Sequence, residues 1–247
     1  MIDEDKIANN LETIRERIAQ AAARGGRDSR DVVLVAVSKT FPPEAVAAAY
    51  RAGQRDFGEN RAEEGTGKMP LVDALLPDAQ LTWHMIGHMQ RRKVPLVVAH
   101  FDMVHSVDRM PVAVRLSTLA QQARRTIPVL LECNVAGESS KYGFDAAGWE
   151  HDMSLRQRFM DHAREILDLP GLEVSGLMTM APLVEDAEEV RPVFSSLRAL
   201  RDALQQAFPD HEISHLSMGM SNDFEVAVEQ GATMVRIGRA IFGPRIT

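Results

Sequence analysis

Eight short runs rich in apolar and β-branched residues recur along the chain, each followed by a helical or polar stretch. This alternation constrains the fold more than any other feature. The runs are Val32–Val37, Asp56–Phe57 with its neighbours, Leu81–Ile86, Met103–Ser106, Pro128–Val135, Glu173–Met178, Ile213–Leu216 and Met234–Ile237. Between them the apolar spacing predicts helices over Pro43–Ala52, Met110–Arg125, Leu155–Leu167, Ala187–Phe208 and Asn222–Gln230. Ahead of the first run, Ile7, Leu11, Ile14 and Ile18 predict an amphipathic helix over Asp5–Ala23, which ends near Gly25-Gly26. Eight strand–helix units in 247 residues predict an α/β protein built as a closed parallel (β/α)8 TIM barrel. It is read as a single domain, 1–247, with the N-terminal helix of residues 1–26 packed on the barrel. A doubly wound open sheet has the same alternation, but would carry a glycine-rich phosphate loop after its first strand. Here that turn reads "SKTFPPE", with no glycine.

Charge and composition narrow the function. The net charge is −7 and the pI near 5.6, with no basic cluster beyond Arg91-Arg92-Lys93. That leaves no electrostatic footprint for nucleic acid or an anionic membrane. Cys133 is the only cysteine, so no intramolecular disulfide forms. The first ten residues lack the basic start and apolar centre of a secretory signal, and no apolar run approaches membrane-spanning length. A cytoplasmic protein acting on small molecules or protein partners is expected.

In a barrel of this type the ligand site forms where the strands end. The stretch "VVLVAVSKTFPPE" carries six apolar residues to Ser38 and then Lys39. A lysine just past a strand usually snorkels to solvent. Here an apolar strand precedes it and Phe41-Pro42-Pro43 follows, with Pro43 suited to a first helical turn, so the backbone around Lys39 is fixed from both sides. A desolvated amine has a lowered pKa and can attack a carbonyl to form a Schiff base. Near the C-terminus, Ser217, Gly219 and Ser221 follow the seventh predicted strand, and Gly238, Arg239 and Gly243 follow the eighth. Small-residue loops at these two strands, one leading into a helix N-terminus, suit a phosphate. Two chemistries fit: a Schiff-base aldolase acting on a phosphorylated sugar, or a site for pyridoxal 5′-phosphate (PLP), which supplies both aldehyde and phosphate.

The ordered motifs "AVSKT", "FGENRAEE", "WHMIGHMQRRK", "HSVDR", "NVAGESSKYGF", "GLMTMAP" and "LSMGMSNDFEVAVEQGATMVRIGRAIFG" resemble the pyridoxal phosphate homeostasis protein family. These are single-domain relatives of the barrel half of alanine racemase, of the fold type III PLP class. The resemblance covers nearly the whole chain from Val33 onward. It implies PLP held as a Schiff base on Lys39, with Arg236 near the pyridine nitrogen and Asn60 as a cofactor neighbour. It also implies a phosphate clamp from Ser217, Met218, Gly219, Gly238 and Arg239, largely through backbone N–H groups. The family often has a hydroxyl residue where this chain has Arg239. An arginine beside the ring nitrogen keeps its own proton, which leaves the ring a poorer electron sink.

That chemistry favours a carrier over a catalyst. The racemases this family resembles also use a tyrosine from a further β-domain, and the chain runs out soon after the eighth predicted strand. The expected role is reversible PLP storage, masking and supply, with apo-PLP enzymes as recipients, by a monomer with no catalytic residues. A low-activity amino acid racemase of the same fold is the alternative, and the aldolase comes third. Lys141 matches a family lysine and is weighed as a second acceptor or phosphate steerer. Tyr50 is expected away from the mouth, whereas no motif places Tyr142. His84 and His88 are four residues apart, but in a strand-to-turn segment they share no face, so structural roles are expected and no metal site. Cys133 reads as core, and among the methionines only Met218 is assigned to the inner mouth.

Overall fold

The structure is a computed structural model that describes residues 2–138 and 141–244. Eight parallel strands close on themselves: β1 (Val33–Val37), β2 (Asp56–Glu59), β3 (Thr82–Met85), β4 (Met103–Val107), β5 (Ile127–Asn134), β7 (Leu172–Met178), β8 (His215–Ser217) and β9 (Met234–Ile237). The β4–β5 and β1–β9 pairings complete the circle. The alternation of strands and helices has thus produced the (β/α)8 barrel it predicts. A ninth strand, β6 (Phe144–Asp145), pairs only with the end of β5 and lies outside the barrel. The seventh and eighth predicted strands are therefore β8 and β9.

Side-chain parity divides the core in two, because successive strand residues point to opposite faces. Phe57, Trp83, Met85, Val104 and Leu131 point outward and pack with the helices. A smaller cluster of Met103, Leu130, Met178 and Met234, flanked by Val33, fills the barrel interior. The predicted amphipathic helix is α1 (Glu4–Arg24), capped at its start by the Asp3 side chain. It buries Ile7, Leu11, Ile14 and Ile18 against α2 (Pro43–Arg51), α8 (Phe224–Glu229) and α9 (Arg239–Phe242). Pairs from Arg17 to Glu225 and Arg24 to Glu229 pin its outer face. As the sequence predicts, α2 starts at Pro43.

Helices α5 (Met110–Gln122), α6 (Met153–Leu167) and α7 (Arg191–Ala207) follow β4, β6 and β7, each close to its predicted span. Two more, α3 (Ala62–Leu75) and α4 (Val94–His100), follow β2 and β3 and were not among the helices the periodicity predicts. Among the described residues, no helix is long and apolar enough to cross a membrane.

Candidate functional site

At the C-terminal ends of the strands lies a cavity of about 930 Å³, a size typical of small-molecule sites. Val37, Lys39 and Phe41 line it from the end of β1, and Asn60 from the end of β2. Arg236, Gly238 and Arg239 line it from β9 and the turn into α9, while Met220, Ser221, Asn222 and Asp223 close it after β8. Lys141 and Glu138 approach from the β5 side, and Met180 through Leu183 from the loop after β7.

Lys39 reaches this cavity because the backbone around it is fixed. Ser38 is fully buried, and its hydroxyl donates to Glu59 Oε1 at 2.7 Å. Thr40 adopts a left-handed φ of 67°, which a residue with a β-carbon rarely adopts unless held. Its N–H donates to Glu64. Behind the strand, buried Lys68 ties together Ser38 O, Glu59 and Glu64. Burial pushes the Glu59 carboxyl above its usual range, opposed by Lys68. Across the loop, Gly87 lies so close to Asn60 that a β-carbon there would stand 2.2 Å from Asn60 O, so only glycine fits beside this cavity residue.

The second anchor is Arg236, on the strand next to β1 and in register with Val35. It is buried, and its guanidinium donates to Ser217 Oγ at 2.5 Å and to Thr179 O at 2.8 Å. Ser217 continues into a chain through the barrel interior. His105 Nδ1 lies 2.8 Å from Ser217 Oγ, His84 Nδ1 lies 2.9 Å from His105 Nε2, and Asp56 Oδ1 lies 3.0 Å from His84 Nε2. Arginine only donates, so Ser217 Oγ accepts from Arg236 and keeps its own hydrogen available for His105 Nδ1. One continuous run of hydrogens along this chain has Ser217 donating to His105, His105 to His84, and His84 to Asp56. Burial holds the His105 pKa well below the ordinary histidine value, and the nearby His84 and Arg236 add to that shift.

Burial also lowers the Arg236 pKa to about 10, against the opposing pull of Glu132 and Asp223. The guanidinium stays charged at neutral pH. Two of its five N–H donors are spent on neutral acceptors, which leaves positive charge at the cavity wall. Glu132 is buried, and its Oε2 has no hydrogen-bond partner among the described residues. Burial first, then Asp108, pushes its carboxyl up to about 7.

Comparison with known proteins gives this geometry a family. The family model "Alanine racemase, N-terminal domain" matches residues 2–245. The pyridoxal phosphate homeostasis protein of Vibrio alginolyticus is 41% identical over 239 residues, covering 97% of each chain. That of Escherichia coli K12 is 40% identical over 243 residues, again covering 97% of each. The chain belongs to the pyridoxal phosphate homeostasis protein family. A solved structure of similar fold is PipY of Synechococcus elongatus with PLP bound, with TM-score 0.80, 34% identity, and coverage of 96% of this chain and 100% of PipY. Alanine racemase of Clostridium difficile superposes with TM-score 0.71 at 15% identity and is covered over 58% of its length. That likeness concerns the barrel alone.

Within this homeostasis-protein fold, the residues predicted for the site fall into two layers. Lys39, Asn60, Arg236, Gly238 and Arg239 line the cavity, with the Arg239 side chain exposed. Ser217, Met218 and Gly219 lie one layer behind it. The Ser217 hydroxyl is committed to Arg236 and His105, and Met218 donates its N–H to Met234 O and buries its side chain in the helix-facing core. Strand parity explains this, since Ser217 points inward and Met218 must point outward. The methionines on the cavity are Met180 and Met220 instead. Gly219, at φ 94°, makes the close turn, where a β-carbon would meet that of Ala227 at 2.6 Å.

Lys141 lines the cavity and donates to Glu138 Oε1 at 2.8 Å and Met180 O at 3.0 Å. Tyr142 is exposed and stacks on His88, whose Nδ1 lies 2.7 Å from Asp108. His84 and His88 thus serve different neighbours, and no group of three or more His, Cys, Asp or Glu among the described residues is arranged to hold a metal. Cys133 is buried, and burial pushes its thiol pKa well up. Glu59, Glu64, Lys68, Thr179, His105, Glu132 and Asp223 are site or supporting residues that the motifs did not single out. One sequence signal could have found Lys68: it lies at helical spacing on the stripe Ala62, Gly65, Met69, Val72, where a solvated lysine would be out of place.

Proposed function

We propose that this protein binds PLP reversibly, with the cofactor joined to Lys39, and serves cytoplasmic PLP homeostasis by storing, masking and supplying it. The observation that carries this reading is the meeting of Lys39, Arg236 and the Gly238–Arg239 turn on one cavity of about 930 Å³. When bound, PLP supplies an aldehyde that condenses with an amine, releasing water, and that water reverses.

The residues fit that group at each of its ends. Lys39 offers the amine. Buried Arg236 offers charged donors, held in place by Ser217 and Thr179. Gly238 caps α9, whose first turn has N–H groups with no acceptor within the helix. A β-carbon at Gly238 would come within 3.0 Å of Val37 O, so the turn lies tightly against the strand that carries Lys39. Asn60 flanks the opposite side, and the Arg239 side chain is free to meet phosphate as an ionic fork. Ser217, Met218 and Gly219 support this wall from behind.

The role is one of holding rather than turnover. An arginine that stays charged at neutral pH leaves a neighbouring ring nitrogen without a proton, which weakens the ring as an electron sink. The proposed recipients are apo forms of PLP enzymes, served by a monomer. Absorbance of the PLP-loaded protein tests the reading. A visible band that borohydride abolishes, and that Lys39→Ala lacks, is expected. A loaded protein with no such band would overturn it.

A further inference from the structure

Behind Lys39 lies a buried charged cluster that the cofactor reading does not use. Lys68, on α3, is 6% exposed, and Glu59, at the end of β2, is 0% exposed. The three ammonium donors of Lys68 meet three acceptors: Ser38 O at 2.7 Å, Glu59 Oε1 at 2.7 Å and Glu64 Oε1 at 3.3 Å. Glu64 in turn accepts the Thr40 N–H. Ser38 O belongs to the peptide unit that enters Lys39, and the Thr40 N–H belongs to the one that leaves it. Peptide units are planar, so a residue's backbone has only two soft rotations, one for each adjoining plane. Holding both planes fixes φ and ψ of Lys39 and aims its Cα–Cβ bond.

The local packing is built for this arrangement. At Gly65, less than one turn from Lys68, a β-carbon would stand 2.9 Å from Phe101 Cζ and 3.3 Å from Glu59 Cγ. The helix therefore lies close enough for Lys68 to reach Ser38 O. Thr40 is one of only three residues other than glycine with positive φ among those described. Such a conformation persists where surrounding structure over-determines it, and it recurs at ligand sites.

We propose that Lys68 and Glu64 are positioning residues for Lys39: α3 grips the peptide units on both sides of that residue and so holds its amine at the cavity. The consequence for the cofactor rests on the PLP reading above, whereas the grip itself does not.

Glu64→Ala tests it, because the Glu64 side chain is 28% exposed and its loss leaves Lys68 two acceptors. Glu64→Gln is the conservative partner, since its amide oxygen still accepts the Thr40 N–H. Two quantities are read: the Kd for PLP by absorbance titration, and deuterium exchange of the Thr40 amide in cofactor-free protein by NMR. Glu64→Ala is expected to raise the Kd and speed exchange, each about tenfold, as suits one lost charge-assisted bond. Its melting temperature should stay near the parent's, and Glu64→Gln should recover most of both effects. A merely structural role would lower the melting temperature while Kd and exchange held.

Parental Kd and parental exchange in Glu64→Ala overturn the proposal. A parent protein that does not take PLP on Lys39 overturns the cofactor reading instead. The exchange arm then decides the grip alone, since unchanged exchange refutes it and faster exchange supports it.

Discussion

Two buried cations, Lys68 behind Lys39 and Arg236 on the cavity wall, sit in opposite electrostatic settings. Lys68 is surrounded by carboxylates, with Glu59 at 2.7 Å and Glu64 at 3.3 Å. Among the described residues, Arg236 donates to a hydroxyl and a carbonyl, while Glu132 and Asp223 act on it through space. Lys68 therefore spends its charge on its neighbours and becomes part of the scaffold. The Arg236 charge remains available at the cavity wall. In this barrel the cation behind Lys39 has carboxylates in hydrogen-bond contact, whereas the one on the cavity wall donates to neutral acceptors.

The contrast is broken most severely at Lys68. Lys68→Met leaves Glu59 buried without its partner, and a buried pair that loses one member costs about 3–5 kcal/mol. Chemical denaturation should show that loss, and one below about 1 kcal/mol would contradict the scaffold role.

Glu132 comes next, on the Arg236 side. Its folded pKa of about 7 exceeds the ordinary 4.5, so in that interval the folded state binds more protons than the unfolded state. Stability from this group is full below about pH 4.5, falls as pH rises towards about 7, and levels off above it. The span corresponds to up to about 3 kcal/mol. Glu132→Gln should flatten that stretch of the stability–pH curve, and an unchanged slope would remove the assignment.

Arg236→Met should cost less than the lysine variant, about 1–3 kcal/mol, because it leaves unpaired neutral acceptors rather than a charge. Its PLP affinity should nevertheless fall by more than about tenfold. A stability loss equal to that of Lys68→Met, with PLP affinity intact, would erase the distinction between the two cations.

The smallest effect is expected at Lys141→Ala, where a partly exposed loop contact is lost and stability should move by less than about 1 kcal/mol. Its rate of PLP release, followed by transfer of absorbance to an acceptor, should differ from the parent's if Lys141 steers the cofactor. Equal rates would dismiss that role.

The barrel was readable because strand and helix periodicities survive wherever apolar residues do the packing, and the place of Lys39 at the cavity was readable because a lysine just past an apolar strand is conspicuous. Helix α3 was not, since its inner face reads Ala62, Gly65, Lys68, Met69 and Val72, a stripe in which a glycine and a lysine replace bulky apolar residues. Helix α4 spans only seven residues, too few for a period to show. The partners of Arg236 come from the residue just after β7, from β8 and, through Ser217, from β4, and no local pattern links Thr179, Ser217 and His105. Met218 sits in a small-residue loop that points to the mouth, but its parity places it in the core. Counting outward and inward positions along β8 would have put it in the core.

The central claim is that one lysine among several at or near this mouth carries the cofactor. Borohydride reduction of the PLP-loaded protein, followed by peptide mass mapping, tests it directly. A single adduct is expected on the peptide containing Lys39, and none on those of Lys68 or Lys141. An adduct elsewhere with Lys39 unmodified would contradict it.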